Sequence, residues 1–373
     1  MLPVSLISQI QTMYLLDRSD HNLMTYVLLD PAASPVSLSI DPSNLVNPYG
    51  LAMNEANSEL YWSDNSAKLI RSSSLSGVLG EAVALDSAVV PMDFRIDGIN
   101  QQLYCIDQST GSILRSDLAE GEWTVVFQDT AAAALSVAID AAGDRLFWAD
   151  KSGTIFQISL TDDPAATLVA STGGTPRRLA YDNDGELYYS DDAANAIIAV
   201  NVSTGASRTV YEANSNDDEE TDESPFGLYL DTQAKWVYWT DYSQGTVSRI
   251  RFDGSDRETL LEDMGEVVGI VMQAGLPILD DLGVPDQTTI TVSPNLSVRP
   301  NPATSAVTIR LQGDELPQGA QLRIYDQSGI RVLDIPMNAR SKNIVVGDYP
   351  AGLYRCVVAW SAGVEITSFI VAR

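Results

Sequence analysis

Six aspartates recur along this 373-residue chain in one setting, each closing a four-residue block that an aromatic residue opens. The blocks are Tyr14-Leu-Leu-Asp17, Tyr61-Trp62-Ser-Asp64, Tyr104-Cys-Ile-Asp107, Phe147-Trp148-Ala-Asp150, Tyr188-Tyr-Ser-Asp191 and Tyr238-Trp239-Thr-Asp241. Carboxylates do acid–base work when two of them, or one and a substrate proton, stand within hydrogen-bond reach. These follow one another at steps of 47, 43, 43, 41 and 50 residues, one per unit, which separates them too widely to act as a pair. A carboxylate at a strand end accepts hydrogen bonds from backbone N–H groups, and a neighbouring aromatic supplies a large apolar area for packing. The six blocks are therefore scaffold, and no catalytic residue is assigned.

Other chemistry-bearing residues are few. His21 is the single histidine and falls in a turn, so neither a Ser-His-Asp arrangement nor a His/Cys zinc site is available. Asp217–Glu223 holds six acids in seven residues; consecutive side chains diverge, so a solvated loop is expected before a calcium site. The Asp182-Asn-Asp-Gly-Glu186 run sits where every other repeat has a polar turn and reads as a hairpin. Cys105 and Cys356 fall inside strands of different segments, as buried free thiols. No metal and no cofactor are expected.

The elements that position these residues follow from the repeat. Before each of the last five blocks lies a short apolar strand: Gly50–Met53, Asp93–Ile96, Ser136–Ile139, Arg178–Tyr181 and Gly227–Leu230. After each block come a polar turn, an alternating strand and a fourth strand, which makes one four-stranded antiparallel unit. A repeat of about 40–45 residues of this kind marks a β-propeller. The first block lacks a preceding strand, and the strand at 267–273 lacks a following block. Residues 12–40 and 267–273 are therefore expected in one sheet, which closes six blades and removes the exposed edges.

Charge is unevenly placed. The net charge is −28, yet residues 285–373 hold eight basic and seven acidic residues. The acidic excess lies in the repeat region, a surface that disfavours nucleic acid and anionic membranes as partners. No apolar run reaches the roughly 20 residues of a membrane span. No basic segment followed by a long apolar stretch, the mark of a signal peptide, is visible at the N-terminus.

The quoted blocks resemble the YWTD (class B) repeats of the low-density lipoprotein receptor family, over roughly residues 10–273. That resemblance implies a six-bladed propeller in which the tetrad aromatics wedge between blades and the aspartate ties strands together. It also implies that ligands meet the mouth of the central channel, where each inner strand begins. Tyr49, Met92, Asp93, Arg177, Arg178 and Phe226 would line that mouth, the arginines fixing a carboxylate or sugar hydroxyl and the aromatics stacking on a ring.

A second set of short strands follows a Pro/Gly-containing connector at 274–290 and reads as a β-sandwich over 291–373. Its sequence, with Pro300, Asn301 and Pro302 in Val298–Ala303, Gly329 in Ile324–Val332, Gly352 and Tyr354 after Pro350, and a terminal Phe369–Arg373, resembles a type A sorting domain of type IX secretion in Bacteroidota. That resemblance implies secretion or outer-membrane surface attachment and contact with the export machinery.

The expectation is an all-β protein: a six-bladed propeller (1–273), a linker and an immunoglobulin-like sandwich. It would act as a secreted or cell-surface, non-catalytic module recognising a protein or glycan. A lactonase- or lyase-type propeller enzyme with a divalent metal in its channel, or a structural surface-layer component, are the alternatives.

Overall fold

A computed structural model describes residues 10–28, 34–55, 59–75, 77–85, 89–118, 122–128, 134–140, 142, 144–161, 165–213, 223–276, 296–300, 303–312, 316–326, 331–349, 352–360 and 363–371. The chain is almost wholly β-structure; the one helical turn among these residues is Pro42–Asn44, capped by the Asp41 carboxylate on the Ser43 N–H.

Six four-stranded antiparallel sheets account for the repeats. In sheets two to six the strands follow chain order, beginning with inner strands Pro48–Asn54, Pro91–Asp97, Ala134–Asp140, Pro176–Tyr181 and Pro225–Asp231. Sheet one is assembled from both ends of the repeat: Val267–Leu276 pairs antiparallel with Ile10–Asp17, followed by Asn22–Val27 and Val36–Ser37. This is the shared sheet expected from the two unpaired repeat ends, and its late strand runs three residues beyond 273. Each inner strand packs on the next, and Val267–Leu276 packs on both Pro225–Asp231 and Pro48–Asn54.

The tetrads explain this order. On a strand, successive side chains point to opposite faces, so positions one and two of each block enter different inter-sheet cores. Tyr14 of sheet one shares a cluster with Trp62 of sheet two, and Tyr61 of sheet two with Cys105 of sheet three. Tyr104 meets Trp148, Phe147 meets Tyr189, Tyr188 meets Trp239, and Tyr238 of sheet six returns to Leu15 of sheet one. Position one always faces the following sheet and position two the preceding one.

The tetrad aspartates are 1–3% exposed. Each accepts a backbone N–H from the turn that follows it: Asp20, Ala67, Ser109, Ser152, Ala193 and Ser243. Three also accept the N–H just ahead of their own sheet's inner strand, from Val90, Thr175 and Ser224. In each turn one residue is left-handed: His21, Lys68, Gly111, Gly153, Asn195 and Gly245. His21 is thus a turn residue, its Nδ1–H donating to the Leu45 carbonyl at 2.7 Å. Gly174 lets Asp191 approach, because a Cβ there would stand 1.9 Å from the Asp191 Oδ2 atom.

The C-terminal strands form a three-stranded sheet (Leu296–Arg299, Ala306–Leu311, Ser341–Val345) and a four-stranded one. The latter runs Arg331–Pro336, Gln321–Asp326, Gly352–Trp360, Gly363–Val371. Leu296, Val307, Ile309, Leu322, Ile324, Cys356 and Phe369 meet in one core. Both cysteines are free and buried, and burial raises both thiol pKa values.

Asp191 accepts three backbone N–H groups, from Thr175, Ala193 and Ala194. Asp191→Ala is expected to cost about 3 kcal/mol in urea unfolding, and Asp191→Asn less, because an amide oxygen still accepts. An alanine variant within about 0.5 kcal/mol of the parent would contradict this role.

Candidate functional site

All six inner strands contribute to one cavity of about 230 Å³. Asp93, Arg95 and Arg178 reach into it, and from them its walls continue along the later parts of those strands, including Met53, Ile96, Ile139, Tyr181, Tyr229 and Met272. The early ends of the same strands are organised differently, around two arginines that cross between sheets.

Arg178, 4% exposed, leaves the fifth sheet and donates from Nη2 to the Tyr49 carbonyl of the second at 3.0 Å. Its guanidinium carbon stands 4.4 Å from the Tyr49 ring centroid and 4.8 Å from that of Phe226. A cation held between aromatic faces and a carbonyl is bound from several sides at once. Arg95 of the third sheet donates to the Leu179 carbonyl of the fifth at 2.9 Å and to Asp93 Oδ1 at 2.9 Å. The other Asp93 oxygen accepts Ser136 Oγ–H at 2.6 Å and the Val137 N–H. Ser136 Oγ in turn accepts the Leu179 N–H at 2.8 Å. Burial alone would raise Asp93, but Arg95, then Arg178 and these hydrogen bonds, hold its carboxyl below the usual range.

The six sequence candidates therefore separate. Met92, Asp93, Arg178 and Phe226 are buried, with Met92 in the core between sheets three and four. Tyr49 and Arg177 keep partial exposure. Arg177 pairs through Nε with Asp192, and its pKa is raised despite burial, chiefly by that bond, with the Tyr49 and Tyr242 phenols adding to it. Tyr242, which the sequence candidates did not include, packs edge-on against Phe226 at 5.2 Å and 80°, and Tyr49 does the same from another side at 5.7 Å and 86°. Tyr49, Tyr242, Arg177 and Asp192 are thus half-buried at this end, over a buried arginine.

Residues 217–222 of the acidic run lie outside the described residues. Glu223 is held by the Tyr211 hydroxyl and by Arg257 Nη2 at 3.0 Å. Asp182 accepts the Asp184 and Glu186 N–H groups in a side-chain-capped hairpin. Among the described residues no three His, Cys, Asp or Glu side chains converge as metal ligands. No helix among them is long and apolar enough to cross a membrane. Of the sorting-motif residues, Tyr354 is buried against Phe369 with ring centroids 5.6 Å apart. Pro300 follows a cis peptide bond. Asn301, Pro302, Gly329 and Arg373 lie outside the described residues, and Gly352 begins a strand.

Residues 297–372 match the secretion system C-terminal sorting domain family, and residues 235–267 match the low-density lipoprotein receptor repeat class B. No curated protein matches the chain. One chain in the crystal structure of a nidogen/laminin complex is similar in fold, with a TM-score of 0.59 at 17% identity over 70% of this chain and 97% of that one. The sorting-domain match indicates secretion and attachment at the cell surface.

Because Asp93 has a lowered pKa, its stabilisation is fully present above the unfolded value, about 3.9, and is lost as pH falls through the folded value. Asp93→Asn is expected to cost about 3 kcal/mol at neutral pH by leaving two arginines underpaired. That difference from the parent should shrink in urea titrations below roughly pH 4, and a pH-independent difference would exclude Asp93 as the cause.

Proposed function

We propose that the six sheets are the blades of a closed six-bladed propeller spanning the chain up to about the 274–290 connector. The C-terminal sheets form an immunoglobulin-like sandwich over 291–373, which engages the export machinery. On this reading the chain is a non-catalytic recognition module displayed outside the cell, attached at the outer-membrane surface or released. Its ligand is a protein or a glycan, met at the end where the inner strands begin.

The observation that carries this reading is the surface of Tyr49, Tyr242, Arg177 and Asp192. Two half-exposed phenols beside an arginine supply amphipathic area at low entropic cost, a composition enriched where proteins bind each other. The aromatics are held edge-to-face against Phe226, so little side-chain freedom is lost on binding. The acidic excess of the repeat region favours a neutral or basic partner. A chain of similar fold occurs in a complex of nidogen with laminin, which gives the fold a precedent in protein–protein assembly. Asp93 and Asp192 beside these residues are paired with arginines, and the tetrad aspartates at this end accept backbone N–H groups, which argues against a general acid or base there.

The full chain, screened against glycan arrays and extracted surface proteins, should yield a ligand whose affinity falls about tenfold in Arg177→Ala and in Tyr242→Ala, with the melting temperature little changed. Undiminished binding in the double variant would place recognition elsewhere.

A further inference from the structure

The inner strands all run in one direction, and the last of them carries the chain out of the repeat region. In its pairing with Ile10–Asp17, Val267 lies beside Asp17 and Leu276 beside Ile10. The tetrad aspartates mark the Tyr49 and Arg177 end, so Leu276 leaves at the opposite end, where the cavity walls lie. The C-terminal unit is thus tethered at the cavity end by the stretch 277–295.

A face of that unit is covered by something other than its own core. Along Gln321–Asp326 and Gly352–Trp360, the side chains of Leu322, Ile324, Tyr354, Cys356 and Val358 enter the core between the two C-terminal sheets. The alternate residues point the other way. Outward-facing side chains on a sandwich are ordinarily solvated, yet Val357 is 1% exposed, Tyr325 2% and Ala359 3%. Arg355 stands in the middle of this outer face, paired across the sheet with Tyr325. Its Nη2 reaches Glu55 Oε2 at 3.5 Å, across 300 residues of sequence. Glu55 directly follows the Pro48–Asn54 strand and lines the cavity. Burial raises the Glu55 pKa, with Arg355 opposing, and burial also raises Tyr229, on which both charges act.

We propose that the outer face of this four-stranded sheet is a docking surface for the cavity-bearing end of the repeat region, with Arg355 on Glu55 as its charged contact. The C-terminal unit then shields the cavity while it remains attached and leaves the Tyr49–Tyr242–Arg177 surface free. Charge favours the fit: Arg323, Arg331 and Arg355 share this face with one acid, Asp334, and meet a repeat region rich in acids. Tethering favours it too, since two surfaces on one chain meet intramolecularly, which populates contacts too weak to form between separate molecules.

Hydrogen exchange on the full chain tests the docking, with near-ultraviolet circular dichroism confirming that each variant is folded. Amides at Met53–Glu55, Tyr229 and Val357 should exchange about tenfold faster in Arg355→Glu than in the parent. The reciprocal double variant Glu55→Arg with Arg355→Glu should bring them back. A chain with a protease site placed within 277–295 should show the same acceleration once cut and diluted. Unchanged exchange in folded Arg355→Glu and after cutting would overturn the docking. Acceleration that the charge swap fails to reverse would remove Glu55 as the partner of Arg355.

Discussion

The rest of the molecule depends on one geometric fact, the alternation of neighbouring side chains across the second strand of each sheet. Because tetrad positions one and two face opposite ways, each sheet carries a large side chain for the sheet ahead and another for the sheet behind. Such a unit has no stable face to present to water until both neighbours are in place. In a linear array the first sheet would lack a preceding neighbour and the sixth a following one; Val267–Leu276 completes the first sheet and Tyr238 of the sixth packs on Leu15 of the first, so each supplies the other. Position two is where the repeat tolerates change: Trp62, Trp148 and Trp239 fill it in three sheets, Tyr189 in a fourth, and Leu15 and Cys105 in the other two. Opposite Cys105 the inner strand carries Phe94, where Leu51, Val137 and Leu228 stand opposite Trp62, Trp148 and Trp239. Volume given up at position two is there made up by the neighbouring strand of the same sheet.

Where the inner strands converge, side chains from opposite sheets come within reach, and the chain fills that space with charge. Arg178 and Arg95 bind backbone carbonyls of sheets that are not their neighbours, and Asp93 with Ser136 ties the third, fourth and fifth together. Buried charge of this kind is tolerated when each group is fully engaged, and it rigidifies what it connects. The consequence for function is that the centre of this end is occupied by the protein itself. The ligand proposed for this end would meet Tyr49 and Tyr242 with Arg177 rather than an open channel.

The sequence made the repeat, its strands and the sharing of the first sheet readable because all three are encoded locally, in spacing and alternation. The role of the tetrad aspartates was equally local, since they bind the turns that follow them. Which candidate residues keep any exposure was not readable. Arg177 and Arg178 are adjacent, and their fates differ because Arg178 finds a carbonyl 129 residues away on another sheet. No local pattern carries that partner. Tyr242 did leave a trace. The residue after the tetrad aspartate is Arg18, Asn65, Gln108, Lys151 and Asp192 in the other repeats, all polar, and an aromatic in the sixth. A departure from the repeat at a turn is a better pointer to function than the repeat itself.

Completion of the first sheet by a borrowed inner strand has a further effect on how two units share one chain. Had the last strand of the repeat been an outer one, which runs opposite to the inner strands, the connector would leave from the perimeter at the end where the inner strands begin, the end of Tyr49 and Arg177. Because it is an inner strand running in the common direction, the connector leaves beside the cavity and away from Tyr49 and Arg177. An export domain attached there can lie close to the repeat region without crossing the exposed aromatic rim. The same strand pairing that completes the first sheet therefore also sets apart a face that stays clear of the tether.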